Sequence, residues 1–377
     1  MLGPTYRLPF RLLGIPVLLD LSFLIVLPFL AWIIGTDLKA YIQWFGLAVD
    51  ANSLPAGATP YLLGLSAALG LFGSVLIHEL GHAVVGRRYG VRVQNITLWI
   101  LGGMAQFERM PRQRGAEAIV AIAGPVTSFI LGFLCWLGLK TTSGQPVEVQ
   151  FVLAYLMTMN VILASFNLLP ALPLDGGRVL RSLLAIRSPY LKATQLSASL
   201  SKSMAFLLGL VGFLWVNPFL MLIALFVYMG ASSEARQATY TEVFQGFQVK
   251  DLMTRAVKVV PGNFLVSELV QKMLKDHHLG YPVVDERGKI LGVVSLSDVQ
   301  RFRQARGEDS ETTVEQILTT RQVTVGEKTT ALQAFQRMSR RNFGRLVVLD
   351  SSGNMSGILS KTDLMRAIQI RMADLGE

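Results

Sequence analysis

A chain of 377 residues that is 51% hydrophobic and carries a formal net charge of +10 has room for two or three domains, at least one of them largely in the bilayer. The basic excess does not indicate nucleic acid, because much of it lies in short loops beside apolar segments, where it orients the chain in the membrane. A single cysteine, Cys135, inside an apolar run, excludes a disulfide framework and a cysteine-based metal site within one chain, so metal ligands must be His, Asp or Glu.

The first apolar run, from Ile15 to Gly35, follows Arg7 and Arg11 and lacks the short core and small-residue cleavage site of a signal peptide. It is expected to be a retained first span. Asp20 falls within it near the boundary, where hydration accounts for it, and is assigned no chemistry.

The second run, at about 61 to 86, contains His78-Glu79-Leu80-Gly81-His82. At helical pitch the two imidazoles stack on one face and can reach a single Zn²⁺, while Glu79, one step round, can address the metal's water. A chance match on a soluble surface helix is the alternative. An uncompensated Glu in lipid costs roughly 2.5 to 3.5 kcal/mol, so the apolar context sharpens the motif. Arg87, Arg88, Arg92, Arg109, Arg112 and Arg114 follow this run, and Arg178, Arg181, Arg187, Lys192 and Lys202 follow the fourth, whereas 37 to 60 and 140 to 150 carry one lysine each. By the positive-inside rule both termini are expected to be cytoplasmic. His82 and His78 then lie about 6 Å and about 12 Å from Gly86 along the helix axis.

Val91, Val93, Ile96, Leu98 and Ile100 show near-alternation and precede Gly102-Gly103, which reads as a short membrane-associated hairpin. An exposed strand edge there can capture an extended substrate by backbone pairing, with Gly102 and Gly103 as the substrate-binding positions. The alternative is a hairpin that merely packs on the bilayer surface.

The third run, 117 to 139, contains Ala123-Gly124-Pro125 with Thr127 and Ser128 behind it, a pattern suited to helix bending or close approach of a neighbour. The fourth, 150 to 170, ends in Asn167-Leu-Leu-Pro-Ala-Leu-Pro-Leu-Asp175-Gly-Gly. Two prolines stop the helix and two glycines permit a tight turn, so Asp175 can swing back as the third metal ligand. Non-helical backbone at this depth must be covered by protein or line a wet cavity, which hydrolysis needs. Asn167 can donate to a developing oxyanion, while Asn160, seven residues earlier, is read as an interhelical hydrogen bonder. Asn217-Pro218 divides 195 to 231 into Met204–Val216 and Phe219–Ala231, two short spans joined by a turn.

The fold class is therefore a polytopic α-helical membrane protein of about six transmembrane helices with a short β-hairpin, followed by a soluble α/β tail. Its boundaries are a membrane domain at 1 to 236, a linker at 237 to 248 and a soluble domain at 249 to 377. Within the tail, Leu252-Met253-Thr254 recurs as Ile317-Leu318-Thr319, and Gly292 to Asp298 recurs as Gly357 to Asp363, at an offset of 65. That marks two copies of one unit, about 250 to 304 and 315 to 370.

His78 to His82 and Asn167 to Gly177 resemble the two signature motifs of the site-2 protease family of intramembrane zinc metalloproteases. The double glycine, the Ala-Gly-Pro and the tandem repeat resemble its subgroup with six spans and a pair of cystathionine-β-synthase-type (CBS) domains. The resemblance implies Zn²⁺ held by His78, His82 and Asp175, Glu79 as general base, and cleavage of a membrane-anchored regulatory protein or remnant peptide within or near its span. Many members have Asn where this chain has Ser128, so any role for that position is in doubt. In CBS pairs the residues matching Ser295, Asp298, Ser360 and Asp363 contact adenine nucleotides, which makes ATP, ADP or AMP an expected ligand. A hydroxyl and a carboxylate three apart at a strand-to-helix junction are equally a helix cap. Stacking of such pairs makes a homodimer an expectation, and the location expected is a prokaryotic cytoplasmic membrane. A CBS-regulated channel or transporter is the main alternative, and a catalytically silent scaffold a third reading. Neither explains the HExxH spacing together with the remote Pro-Pro-Asp-Gly-Gly break.

Overall fold

The computed structural model of the chain describes residues 5–47, 57–100, 102–107, 115–141, 146–306, 311–318, 324–341 and 343–374. Arg109, Arg112 and Arg114 of the loop-charge argument and Thr319 of the repeat lie outside them. Two compact units, Met1–Arg236 and Gln237–Glu377, make up the molecule.

The first unit runs β1 (Thr5–Leu12), β2 (Ile15–Asp20), α1 (Leu21–Thr36), α2 (Leu38–Trp44), α3 (Thr59–Arg88), β3 (Val93–Trp99), β4 (Gly102–Phe107), α4 (Ala116–Thr141), α5 (Val147–Asn167), α6 (Asp175–Leu184) and α7 (Tyr190–Leu214), and α8 (Pro218–Val243) begins in it. Among the described residues, α3, α4, α5, α7 and α8 are each long and apolar enough to cross a bilayer, and α1 with α2, bent by 69°, makes a sixth as a broken pair. Large apolar side chains on these helices, Phe133, Phe206 and Phe213 among them, face outward, as lipid-solvated helices require. The break at Asn217-Pro218 separates α7 from α8 as expected, and the Asn217 side chain accepts the Leu220 N–H at 3.0 Å, capping α8.

The first apolar run is not one span. Ile15–Asp20 is a strand, with Ile15 and Val17 buried at alternate positions. It pairs antiparallel with β1 and parallel with β3, Val17 opposite Ile96 and Leu19 opposite Leu98. Short apolar runs do not distinguish strand from helix by composition, and the parallel partner lies far away in sequence. Asp20, expected to be hydrated, is buried. Its carboxylate accepts the Ser22 backbone N–H at 3.0 Å and hydroxyl at 2.7 Å, which caps α1. That leaves α1 with 16 residues, about 24 Å long at helical rise, short of the hydrocarbon thickness. The sheet order is β1-β2-β3-β4, so the glycine-led β4 is an edge strand.

The second unit repeats one pattern. The first copy contains α9 (Val249–Leu252), β5 (Val260–Pro261), α10 (Val266–Asp276), β6 (Gly280–Val284), β7 (Ile290–Ser295) and α11 (Leu296–Arg306). The second contains α12 (Val314–Ile317), β8 (Thr324–Gly326), α13 (Ala331–Arg341), β9 (Arg345–Leu349), β10 (Met355–Ser360) and α14 (Lys361–Asp374). In both, a short parallel strand pairs with the first strand of an antiparallel hairpin.

The copies exchange their leading segments. Val249 and Met253 are buried in the core of the second copy with Met338, Leu346 and Leu359. Val314 is buried in the core of the first with Leu269, Tyr281 and Val294. Within the stretch 237–248, α8 continues to Val243, and Val243 and Phe244 are buried in the second copy's core with Tyr240 packed against it. Val314→Ala should therefore loosen the first copy rather than its own. It should cost about 2 kcal/mol and speed amide exchange in β6 and β7 roughly tenfold or more, with little change in β9 and β10.

Candidate metal centre

His78 and His82 lie one turn apart on α3, 3% and 4% exposed. Each is gripped from α4. The His78 Nδ1 is 2.8 Å from the Ser128 hydroxyl, and the His82 Nδ1 is 2.8 Å from the Val120 carbonyl. A carbonyl only accepts, so the His82 proton sits on Nδ1 and its Nε2 turns a lone pair to the centre. Val120, Gly124 and Ser128 are spaced by four and share one face of α4. Gly124 lies between the two grips, where a Cβ would stand 2.2 Å from the His82 Nε2 and 2.6 Å from the His78 Nε2. Thus α4 lines the centre and leaves it room. Ser128, whose role was in doubt from sequence, orients a candidate ligand.

Asp175 is the first residue of α6. The chain leaves α5 at Leu168 and turns back so tightly that a Cβ on Gly176 would stand 2.2 Å from the Leu168 carbonyl oxygen, and one on Gly177 2.3 Å from the Leu172 nitrogen. Only glycine allows that approach. The turn brings Asp175 Oδ2 to 3.3 Å from the His78 Nε2 and 3.2 Å from the His82 Nε2, and the two Nε2 atoms are 3.2 Å apart.

A tetrahedral Zn²⁺ with N and O ligands at about 2.0 to 2.2 Å sets its donors about 3.3 Å apart. The triangle of three buried donor atoms fits that spacing. The His82 Nε2 and the Asp175 oxygen face inward with lone pairs, and so does the His78 Nε2 when the Ser128 hydroxyl accepts from Nδ1, an arrangement a cation satisfies. His78, His82 and Asp175 are the one such group of metal-ligand residues among the described residues.

Glu79 faces the sheet. Its Oε2 accepts the Ala105 N–H of β4 at 2.9 Å, and a Cβ on Gly103 would stand 2.8 Å from its Cγ. Gly102, with φ of +126°, holds a backbone conformation that other residues rarely adopt. The bare β4 backbone thus comes up against the carboxylate. Asn167 ends α5 with its amide donating to the Leu163 carbonyl at 3.0 Å. Asn160 donates to Ser74 of α3 at 2.9 Å, the interhelical bond expected of it.

The charge count hid one feature of this site. Arg181, taken from sequence as a loop charge, is 3% exposed. Its guanidinium bonds Glu117 at the start of α4 and Glu234 on α8, the latter at 2.7 Å, with Arg178 3.9 Å from Glu234. Burial alone would pull the guanidinium down, but the two carboxylates raise it above its ordinary value, so it stays cationic.

In the soluble unit, Ser295 donates from its backbone N–H and hydroxyl to Asp298 at 2.9 and 2.5 Å, and Ser360 likewise to Asp363 at 2.8 and 2.6 Å. Both pairs thus cap the helices that follow them, α11 and α14.

Bundle, motif and donor triangle together define a multi-pass membrane metalloprotease with a tandem soluble tail. The Peptidase family M50 pattern matches residues 66–152 and 141–210, and the CBS domain pattern matches 249–304 and 314–370. A zinc metalloprotease of Methanocaldococcus jannaschii is 34% identical over 365 residues, 96% of this chain and 95% of that protein. The stage IV sporulation protein FB of Bacillus subtilis is 33% identical over 210 residues, 55% of this chain and 69% of that protein. The solved site-2 protease from Methanocaldococcus jannaschii is 35% identical, covering 62% of this chain and 95% of that one, with a TM-score of 0.44. The chain belongs to peptidase family M50, the site-2 proteases, and carries a CBS pair.

Gly124→Ala should abolish zinc binding, because its methyl group intrudes on both donor nitrogens. Ser128→Ala should weaken it by about 10- to 100-fold, the usual cost of losing a group that orients a ligand. Competition with a chromogenic chelator measures both.

Proposed function

We propose that the chain hydrolyses peptide bonds in or near transmembrane segments of membrane-anchored regulatory proteins or remnant peptides. The observation that carries this reading is the closure of His78, His82 and Asp175 to mutual distances of 3.2 to 3.3 Å beside a carboxylate docked on an open strand edge. These three residues would hold Zn²⁺, which supplies Lewis acidity toward the scissile carbonyl and the attacking water.

The remaining work falls to the chain. Glu79 takes a proton from the attacking water and returns it to the leaving amine. Asn167, whose amide donates to the Leu163 carbonyl, would turn from it to donate to the developing oxyanion. A helical amide is shielded by its own hydrogen bond, so the substrate must be held extended. The outer edge of β4 offers backbone groups for such pairing, and Gly102 and Gly103 add no side chain to obstruct it. The Ala105 N–H bonded to Glu79 belongs to that edge, so a strand added there lies alongside the general base.

The charge distribution supports cytoplasmic termini, with Arg87 and Arg88 ending α3 and Arg92 just beyond them, and Arg187 and Lys192 flanking the connection from α6 to α7. Buried Arg181 no longer counts toward that sum. An adenine nucleotide at the CBS pair, near Ser295, Asp298, Ser360 and Asp363, would regulate cleavage if it bound two arrangements of the pair unequally. A homodimer through stacked pairs belongs to the same reading.

Glu79→Gln should retain zinc affinity and lose cleavage of a transmembrane peptide in vesicles by a factor of about 10² to 10⁴. Full activity in this variant would remove Glu79 from the mechanism. Calorimetric titration of the full-length protein with ATP, ADP and AMP should give heat for at least one, and none for any of them would end the nucleotide reading.

A further inference from the structure

We infer that the Glu117–Arg181–Glu234 cluster, in which Glu117 and Arg181 are buried and Glu234 half-buried, is a positioning device for the metal centre, holding α6 so that the Asp175 carboxylate meets both imidazoles. The inference rests on the reading that His78, His82 and Asp175 bind the metal.

The geometry is a short lever. Helix α6 has ten residues, about 15 Å at helical rise. Asp175 is at its first position and Arg181 near its other end. From there the guanidinium reaches in two directions: Nε and Nη2 bond one oxygen of Glu117, and Nη1 bonds Glu234 Oε2 at 2.7 Å. A planar fork holding two carboxylates on two different helices fixes a direction as well as a distance. Next to it, the Ser182 hydroxyl accepts the Ala118 N–H at 3.2 Å, so α6 also satisfies a free backbone donor in the first turn of α4.

The grip on α4 matters because of what α4 does one turn later. Glu117 precedes by three residues the Val120 whose carbonyl holds His82, and α4 goes on to present Ser128 to His78. One helix thus orients two of the donors and, through Glu117, is tied to the helix that carries the third. A small tilt of α6 about the cluster would swing Asp175, at the far end, out of the 3.2 to 3.3 Å triangle.

Stability is a weak explanation for such a cluster. Removing charges from water costs as much as their attraction returns, and apolar replacements of buried ion pairs are often neutral or stabilising. Glu117 in the first turn of α4 also complements the helix dipole. That role, however, needs neither its 4% exposure nor an arginine shared with a third helix. What the cluster supplies and an apolar contact does not is angular definition.

The test uses the full chain in detergent or nanodiscs, with wild type, Arg181→Lys and the triple change Glu117→Leu, Arg181→Met, Glu234→Leu. Three quantities are read: zinc affinity by chelator competition, the visible absorption of the Co²⁺-loaded protein, and the melting temperature of the metal-free protein. The triple variant should melt close to wild type when metal-free, yet bind zinc about tenfold or more weakly and show altered Co²⁺ bands. Arg181→Lys, charged but unable to fork, should shift both metal readouts in the same direction. Wild-type zinc affinity and an unchanged Co²⁺ spectrum in folded variants overturn the inference while leaving the metal site intact. Absence of zinc binding by wild type sinks the metal reading itself, and this inference with it. Should the triple variant fail to fold, Arg181→Lys and Glu234→Gln decide the matter on the same readouts.

Discussion

Two imidazoles and a carboxylate buried among membrane helices are tolerable only if every polar atom has a partner, and that demand organises the catalytic unit. The outward-facing nitrogens are satisfied by Ser128 and Val120 of α4, which leaves the inward-facing atoms for a cation. From this follow the small residue at position 124, the close contact of α3 with α4, and the need for a non-helical turn to bring in a third donor. Each is a consequence of paying for buried polarity internally.

The same demand explains why irregular backbone gathers at this place. The break after Asn167 and the edge of β4 both expose groups that plain spans would keep bonded. Some of these groups are met internally: the Leu172 N–H bonds Ser201 at 2.8 Å and the Ala105 N–H bonds Glu79, while Gly176 and Gly177 press against the end of α5. Irregularity and chemistry coincide because hydrolysis needs an approachable backbone and a wet pocket, while the surroundings forbid both elsewhere. The soluble unit obeys a different rule. Each of its copies is too small to close its own core, so each borrows the other's leading segment.

Much of this was legible in the chain. The pairing of His78 with His82, the place of Glu79 beside them, the two prolines and two glycines around Asp175, and the 65-residue repeat are local statements. Helical pitch, ring constraints and periodicity settle them without knowledge of neighbours. The β3–β4 hairpin was readable from alternation for the same reason. The strand at Ile15–Asp20 was not, because its identity depends on a parallel partner far along the chain, and the short apolar stretch Ile15 to Leu19 suits either structure.

What the tertiary structure decided is which remote residues serve the local motifs. Val120, Gly124 and Ser128 look like any small-residue face until α3 is laid against it. Arg181 looks like a loop charge until Glu117 and Glu234 enclose it, and Val314 looks like part of its own repeat until the two cores are drawn. In each case the deciding quantity is the angle and distance between elements, which depends on the summed contacts of whole helices and sheets. The sequence alone determined what chemistry was available and roughly where; only the fold determined what holds it in place.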